Sequence, residues 1–242
     1  MFQHKGETRT LKHNLQIASL LSFVAGIVNV VGFLSVQRLT TNVTGHFAYF
    51  MDEVLKLNFW QGLIYFFYIV FFFLGSFASN LLIEAISRKN ERFMYTVPIV
   101  IECFILMIIG FYGHRMTHDH SDTVAFSLLF AMGLQNSLVT TISNAQVRTT
   151  HLTGLFTDLG IEMSQLFFYK SKDQRHKLSS SIKLRLTIIT FFFIGGLIGG
   201  ISYSATGFSI LIFSAAVLAL GLVYDYLKFG IIYLHQRIKR EP

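Results

Sequence analysis

Asp158 and Glu162 stand four residues apart in "LTGLFTDLGIEMSQ", so a helix there presents both on one face. A third acid, Glu102, lies midway along the apolar run "TVPIVIECFILMIIG". A carboxyl group at such a depth is expensive, and by default it marks a proton or ion path. These three are candidate proton-coupling residues. Arg38 and Arg148 precede the two stretches "TNVTG" and "THLTG". A guanidinium carried there by extended chain could hold an oxyanion through two parallel N–H bonds, although a plain interfacial anchor has the same composition. Within the two stretches, Thr41, Thr44 and Gly45 match Thr150, Thr153 and Gly154. Threonine hydroxyls can cap the free N–H groups of a helix start, and glycine permits close backbone approach. A helix start of this kind attracts an anion. The amides Asn29, Gln135 and Asn136 lie in apolar runs, where they serve either a ligand or a helix–helix hydrogen bond. Together with the two arginines and the Thr-Gly residues they form the candidate substrate-binding set.

Other groups point elsewhere. His114, His118, Asp119 and His120 are rich in ligand atoms, but their loose spacing and lack of cysteine fit a solvated loop, and no metal site is expected. His46 and His151 flank the Thr-Gly motifs and suit either proton-sensitive gating or a structural hydrogen bond. No phosphate-binding loop, zinc-protease motif or serine nucleophile elbow occurs, so neither catalysis nor a cofactor is expected, and any driving force is a gradient.

The elements that must position these residues are membrane spans. Of 242 residues, 52% are hydrophobic, 26 are Phe and only 14% are charged, well below a soluble domain. Mean hydropathy is +0.54. Eight apolar segments can be read: A (15–36), B (43–57), C (59–86), D (93–113), E (123–142), F (151–169), G (184–204) and H (207–234). No soluble block is long enough for its own core, so residues 1–242 form one transmembrane domain. The single cysteine, Cys103, excludes an intrachain disulfide.

The net charge of +7 reflects basic loops rather than a nucleic-acid surface. Lys5, Arg9 and Lys12 precede A; Arg88, Lys89 and Arg92 follow C; Lys170, Lys172, Arg175, Lys177, Lys183 and Arg185 lie between F and G; Arg237, Lys239 and Arg240 follow H. The D–E loop "HRMTHDHSD" carries one Arg against two Asp. The positive-inside rule therefore puts both termini and every loop of this set except D–E in the cytoplasm of a bacterial inner membrane. A, B and C then make an even number of crossings between them. B, about 20 Å long from Val43 to Leu55, is too short to span and is expected to enter and leave by one face. The same count makes F re-entrant. The expected fold is all-α, with about six transmembrane helices and two re-entrant half-helices.

The two halves match in order. "GIVN" (26–29) pairs with "GLQN" (133–136) at an offset of 107, "TNVTG" with "THLTG" at 109, and "FFFLGS" (71–76) with "FFFIGG" (191–196) at 120. Residues 14–113 and 123–235 read as two repeats of opposite orientation. Such repeats with broken helices are a carrier signature, with the site near the midplane. The spacing of Gly195, Gly196, Gly199 and Gly200 reads as close helix packing.

At "AGIVNVVGFL", "TNVTGHF" and "FAMGLQNSLVTTISNAQVRTTHLTGLFTDLG", the chain resembles the YoaK-like family of bacterial integral membrane proteins, a domain-of-unknown-function family, over roughly residues 14 to 235. The resemblance implies about six transmembrane helices and supplies no substrate. Asn29 stands where the family commonly has Asp, and His46 where it commonly has Asn, so a coupling role resting on that Asp would not carry over.

The expected function is transport of a small anionic or carboxylate-bearing solute by alternating access around a site between the two Thr-Gly helix starts. A passive channel and a membrane scaffold without a solute are the alternatives. The expected partners are the lipid bilayer and the solute, with a homodimer as a further option. Labelling with a membrane-impermeant thiol reagent checks the orientation. A cysteine introduced at residue 118 reacts from outside and one at residue 90 does not; a reactive residue 90 contradicts the assignment.

Overall fold

The computed structural model describes residue 2, residues 9–90 and residues 93–238, with side chains at 118, 119 and from 229 onward excepted. The loop charges Lys5, Arg92, Lys239 and Arg240 and the side chains of His118, Asp119 and Arg237 therefore lie outside the described residues. Among the described residues all regular structure is helical: α1 Leu11–Val36, α2 Val43–Leu55, α3 Phe59–Ser87, α4 Thr96–Ile142, α5 Leu152–Gln165, α6 Lys172–Thr206 and α7 Ile210–Ile238. A 3-10 turn, Gly207–Ser209, separates α6 from α7.

Local chemistry sets the ends. Asn42 caps α2 by accepting a bond from the Gly45 N–H at 3.0 Å. Pro98 sits in the first turn of α4, where its missing N–H has no intrahelical partner to lose. α1 ends at Gln37 (φ 54), whose N–H returns to the Phe33 carbonyl, and Asn144 (φ 52) follows α4 in the same left-handed conformation. These two reversals stand 107 residues apart, the offset already seen in the sequence.

Segments A, B, C, E and F appear with shifts of a few residues, and G begins earlier, at Lys172. The D–E loop differs more. Helix runs on through this stretch to Ile142, kinked at His120, the one residue of α4 with non-helical angles (φ −145, ψ 60). The stretch from 114 to 122 holds neither Gly nor Pro, so nothing in it stops a helix beyond the kink itself. Among the described residues five stretches are long and apolar enough to cross a bilayer: Leu11–Val36, Phe59–Ser87, Thr96–Thr117, His120–Ile142 and Lys172–Lys228, the last spanning α6 and much of α7. Large apolar side chains such as Phe73, Phe193 and Leu197 point outward, as a lipid-facing surface requires. The chain is a multi-pass membrane protein.

Contacts fix the relative directions. α1 and α6 are parallel, with Phe23 against Gly195 and Ile27 against Gly199. α3 and the second arm of α4 are parallel, with Tyr68 against Phe126 and Ser76 against Gly133. That second arm opposes α1, because Gln135 bonds to the Leu21 carbonyl and Gln146 to Asn14. α7 opposes both α1 and the first arm of α4: Leu20 faces Gly221 while Phe23 faces Phe213, and Phe208 faces Gly113 while Ala215 faces Cys103.

Two interfaces come especially close. A Cβ on Gly26 would collide with the Phe192 carbonyl, and one on Gly195 with the Phe23 carbonyl. A Cβ on Gly133 would collide with the Phe72 carbonyl, and one on Gly75 with the Phe130 carbonyl. The α1–α6 and α3–α4 interfaces are built from the same positions: offset 107 turns Phe23 and Gly26 into Phe130 and Gly133, and offset 120 turns Phe72 and Gly75 into Phe192 and Gly195. Gly133→Ala should destabilise the protein by roughly 1–3 kcal/mol by forcing these helices apart. Gly160→Ala on α5, with nothing within 4 Å, should be neutral or stabilising by up to about 1 kcal/mol. Thermal melts of the two purified variants in detergent compare them; equal behaviour would contradict the close-contact reading.

Candidate functional site

The amide residues meet the threonines that precede each short helix. The Thr41 hydroxyl donates to Asn29 Oδ1 at 2.6 Å, and Thr40 donates to the Val28 carbonyl at 3.1 Å. In the second half Asn136 Nδ2 donates to the Thr150 hydroxyl at 2.6 Å, and the Thr149 hydroxyl donates to Asn136 Oδ1 at 3.3 Å. Gln135 Nε2 donates to the Leu21 carbonyl at 3.0 Å and to the Thr149 hydroxyl at 3.2 Å. Each extended segment is thus pinned to the helix before it, which satisfies polar groups at membrane depth. The threonines were expected to cap the short helices. Instead Thr41 and Thr150 bond to amides, Asn42 caps α2, Thr44 and Thr153 are exposed, and His151, at the N-cap of α5, makes no side-chain capping bond. Gly45 packs under Leu39, and a Cβ on Gly154 would collide with the His151 ring.

The two helix starts do not converge. Among the described residues α2 and α5 make no contact. Asn29 lies eight residues beyond Leu21 on α1, so the two polar layers are about 12 Å apart along the helix. Between them Val24, Ala25, Val28, Leu128 and Met132 are fully buried and apolar.

The surroundings of the two layers differ. Beside the first, Arg38 Nε donates to the Tyr68 hydroxyl at 3.1 Å, Tyr68 donates to Asp122, and the guanidinium lies 5.4 Å above the Tyr65 ring. His46 is fully buried, hydrogen-bonded to the Leu39 carbonyl at 2.6 Å, with its ring 4.7 Å from Tyr68. Tyr49 stacks on Tyr65 at 5.2 Å. Rings and an ionic bridge fill this end.

Beside the second layer is a cavity of about 780 Å³. Arg9, Arg148, Lys177 and Arg185 line it with His151, His176, Asn14, Gly154 and Asp158. Arg185 is engaged: it meets Asp158 at 2.8 Å and Glu162 at 2.8 and 3.0 Å, and Ser181 adds a bond to Glu162 at 2.6 Å. Asp158 and Glu162 therefore hold a cation rather than stand free as proton carriers. Burial pulls the Arg9 guanidinium down to about 10, so it remains cationic at neutral pH. Arg148 and Lys177 have no ion pair among the described residues. The wall differs between the two ends: Tyr49 and Tyr65 form an aromatic stack, whereas Asp158 and Arg185, which stand 109 and 120 residues further along the chain, form an ion pair.

Glu102 lies apart from both layers. It is fully buried on the first arm of α4, and neither carboxyl oxygen has a hydrogen-bond partner. Among the described residues no group of three or more His, Cys, Asp or Glu could hold a metal. Sequence reasoning missed Tyr68, Asp122, Thr40 and Thr149. The last two were open to it, because the doublets Thr40-Thr41 and Thr149-Thr150 keep the offset of 109; the first two carry no local pattern. Thr150→Val should cost about 1 kcal/mol by taking the partner from Asn136 Nδ2. Thr153→Ala, at an exposed position, should stay within about 0.5 kcal/mol of wild type. Denaturation in detergent measures both, and an equal loss would contradict the pinning role.

Residues 17–224 match the family described as "Protein of unknown function (DUF1275)". The chain is also 23% identical, over 179 residues, to the UPF0700 transmembrane protein YoaK of Bacillus subtilis (strain 168), covering 72% of this chain and 78% of that protein. No solved structure matches. With the membrane-spanning helices and the family match in agreement, the chain belongs to the DUF1275 family of transmembrane proteins.

Proposed function

We propose that the protein carries a small anionic solute across a bacterial inner membrane by alternating access, with the cytoplasmic side open in this conformation. The observation that carries this reading is the contrast between the two ends: the same positions are packed with rings at one end and line a cationic cavity at the other. With the N-terminus inside, the start of α1 puts the cavity on the cytoplasmic side. Arg148 and Lys177 supply two cationic donors to one space, suited to a carboxylate or similar oxyanion.

The helix directions support six crossings. α1 and α3 oppose each other, as do the second arm of α4 and α6, so the connection through α2 and the connection through α5 each return to the face they left. The paired glycine contacts and paired amide–threonine bonds support two inverted repeats, a construction that rocks between two near-equivalent states. The buried apolar layer separating the polar layers would be the barrier that solute crosses.

A ligand bound only by the folded state raises stability by about 2.7 kcal/mol at a hundred times its Kd. Thermal melts of the purified protein against a panel of carboxylates and inorganic oxyanions should therefore find a stabilising anion. Arg148→Ala and Lys177→Ala should each weaken its binding about tenfold or more, the loss of one charge-assisted bond. No shift with any anion in the wild type contradicts an anionic solute, and an equal shift in both variants removes the cavity as its site.

A further inference from the structure

On the lipid-facing side of α6, away from the cationic cavity, runs a second groove of about 400 Å³. Its lining follows one stripe of the helix. Ser179 and Lys183 stand at one end, and Leu186, Thr190 and Phe191 continue from it, with Leu166 at the end of α5 forming the opposite wall. From 179 to 191 the stripe is about 18 Å long. Its one charged side chain, Lys183, lies toward one end, while Leu186 and Phe191 lie toward the other, as an amphiphile requires.

The Thr187 hydroxyl is spent on the Lys183 carbonyl at 2.8 Å, which leaves Thr190 as the one hydroxyl on the wall below the lysine. Lys183 itself is exposed and has no ion pair among the described residues. Next to the polar end, Phe167 and Phe168 are 86% and 78% exposed. They precede Lys170, Lys172 and Arg175, with Asp173 the one acid between 170 and 183. Exposed rings beside a basic cluster are the composition of a membrane interface, and lysines there attract anionic headgroups.

We propose that this groove binds one anionic phospholipid of the cytoplasmic leaflet. The headgroup phosphate lies against Lys183 and Ser179, and an acyl chain follows Leu186, Thr190 and Phe191. Charge complementarity selects the headgroup, and the apolar length below it selects a lipid over a free anion. The lipid would brace the end of α5 against α6. This assignment stands independently of the transport reading, because none of its groove residues lines the cationic cavity.

The test reconstitutes the full chain in nanodiscs of equal parts phosphatidylglycerol and phosphatidylcholine and reads retained lipid by native mass spectrometry. The wild type should enrich phosphatidylglycerol about fivefold, the effect of one well-placed lysine. K183Q should abolish the enrichment, and T190W should lower the total lipid retained by filling the groove. Melts of both variants in lipid-free detergent should match the wild type; L186W replaces T190W if the latter is destabilised. Equal retention of both lipids by the wild type overturns the proposal, as does enrichment that survives K183Q and both groove-filling variants. Enrichment erased by excess inorganic phosphate but untouched by T190W and L186W overturns it in favour of a free oxyanion.

Discussion

The architecture depends on backbone meeting backbone at four glycines. In a bilayer, apolar side chains gain little by leaving lipid for one another, so helix association relies on close van der Waals contact and a few hydrogen bonds. Gly26 and Gly195 let α1 approach α6, and Gly75 and Gly133 let α3 approach α4, each facing a carbonyl of the neighbouring helix. Because α1 and α6 lie in different halves of the chain, as do α3 and the second arm of α4, neither half packs its own pair. The halves interlock.

Within that frame the polar groups have two tasks. Asn29 with Thr41, and Asn136 with Thr150, hold the extended segments that lead into α2 and α5. These bonds are satisfied inside the protein and leave little for a ligand. What remains available is charge: Arg148 and Lys177 in the open cavity, against Arg38 already committed to Tyr68 and the Tyr65 ring. On the proposed reading, one guanidinium is free because its end is open, and the other is engaged because its end is closed. Glu102, buried without a partner, is the remaining candidate for coupling, since Asp158 and Glu162 are tied to Arg185.

Much of the fold was legible in the chain. Apolar runs located the long helices, the short length of Val43–Leu55 set α2 apart, and the offsets 107 and 120 relate Gly26 to Gly133 and Gly75 to Gly195, the four glycines at the two close interfaces. The helical course of 114–117 was not legible, because charge and histidine content argue for solvent rather than against helix. Neither was the Arg38–Tyr68–Asp122 bridge, whose members come from three elements and obey no spacing. The motif residues Thr44 and Thr153 were visible as a pattern, yet they face outward, while the neighbouring Thr40 and Thr149 are fully buried. A repeat reveals which positions correspond; it does not reveal which side of a helix meets a partner.

The decisive measurement is reagent access to two single cysteines, with and without the stabilising anion, in a Cys103→Ser background. Ser180→Cys reports the cationic cavity, which the proposed reading puts on the cytoplasmic side. Asn42→Cys reports the opposite end, at the position equivalent to His151. Alternating access predicts that, as anion is added, Ser180→Cys becomes protected and Asn42→Cys gains reactivity from outside. If both reactivities stay fixed while the anion binds, the cavity is a static binding pocket and the protein is not a carrier.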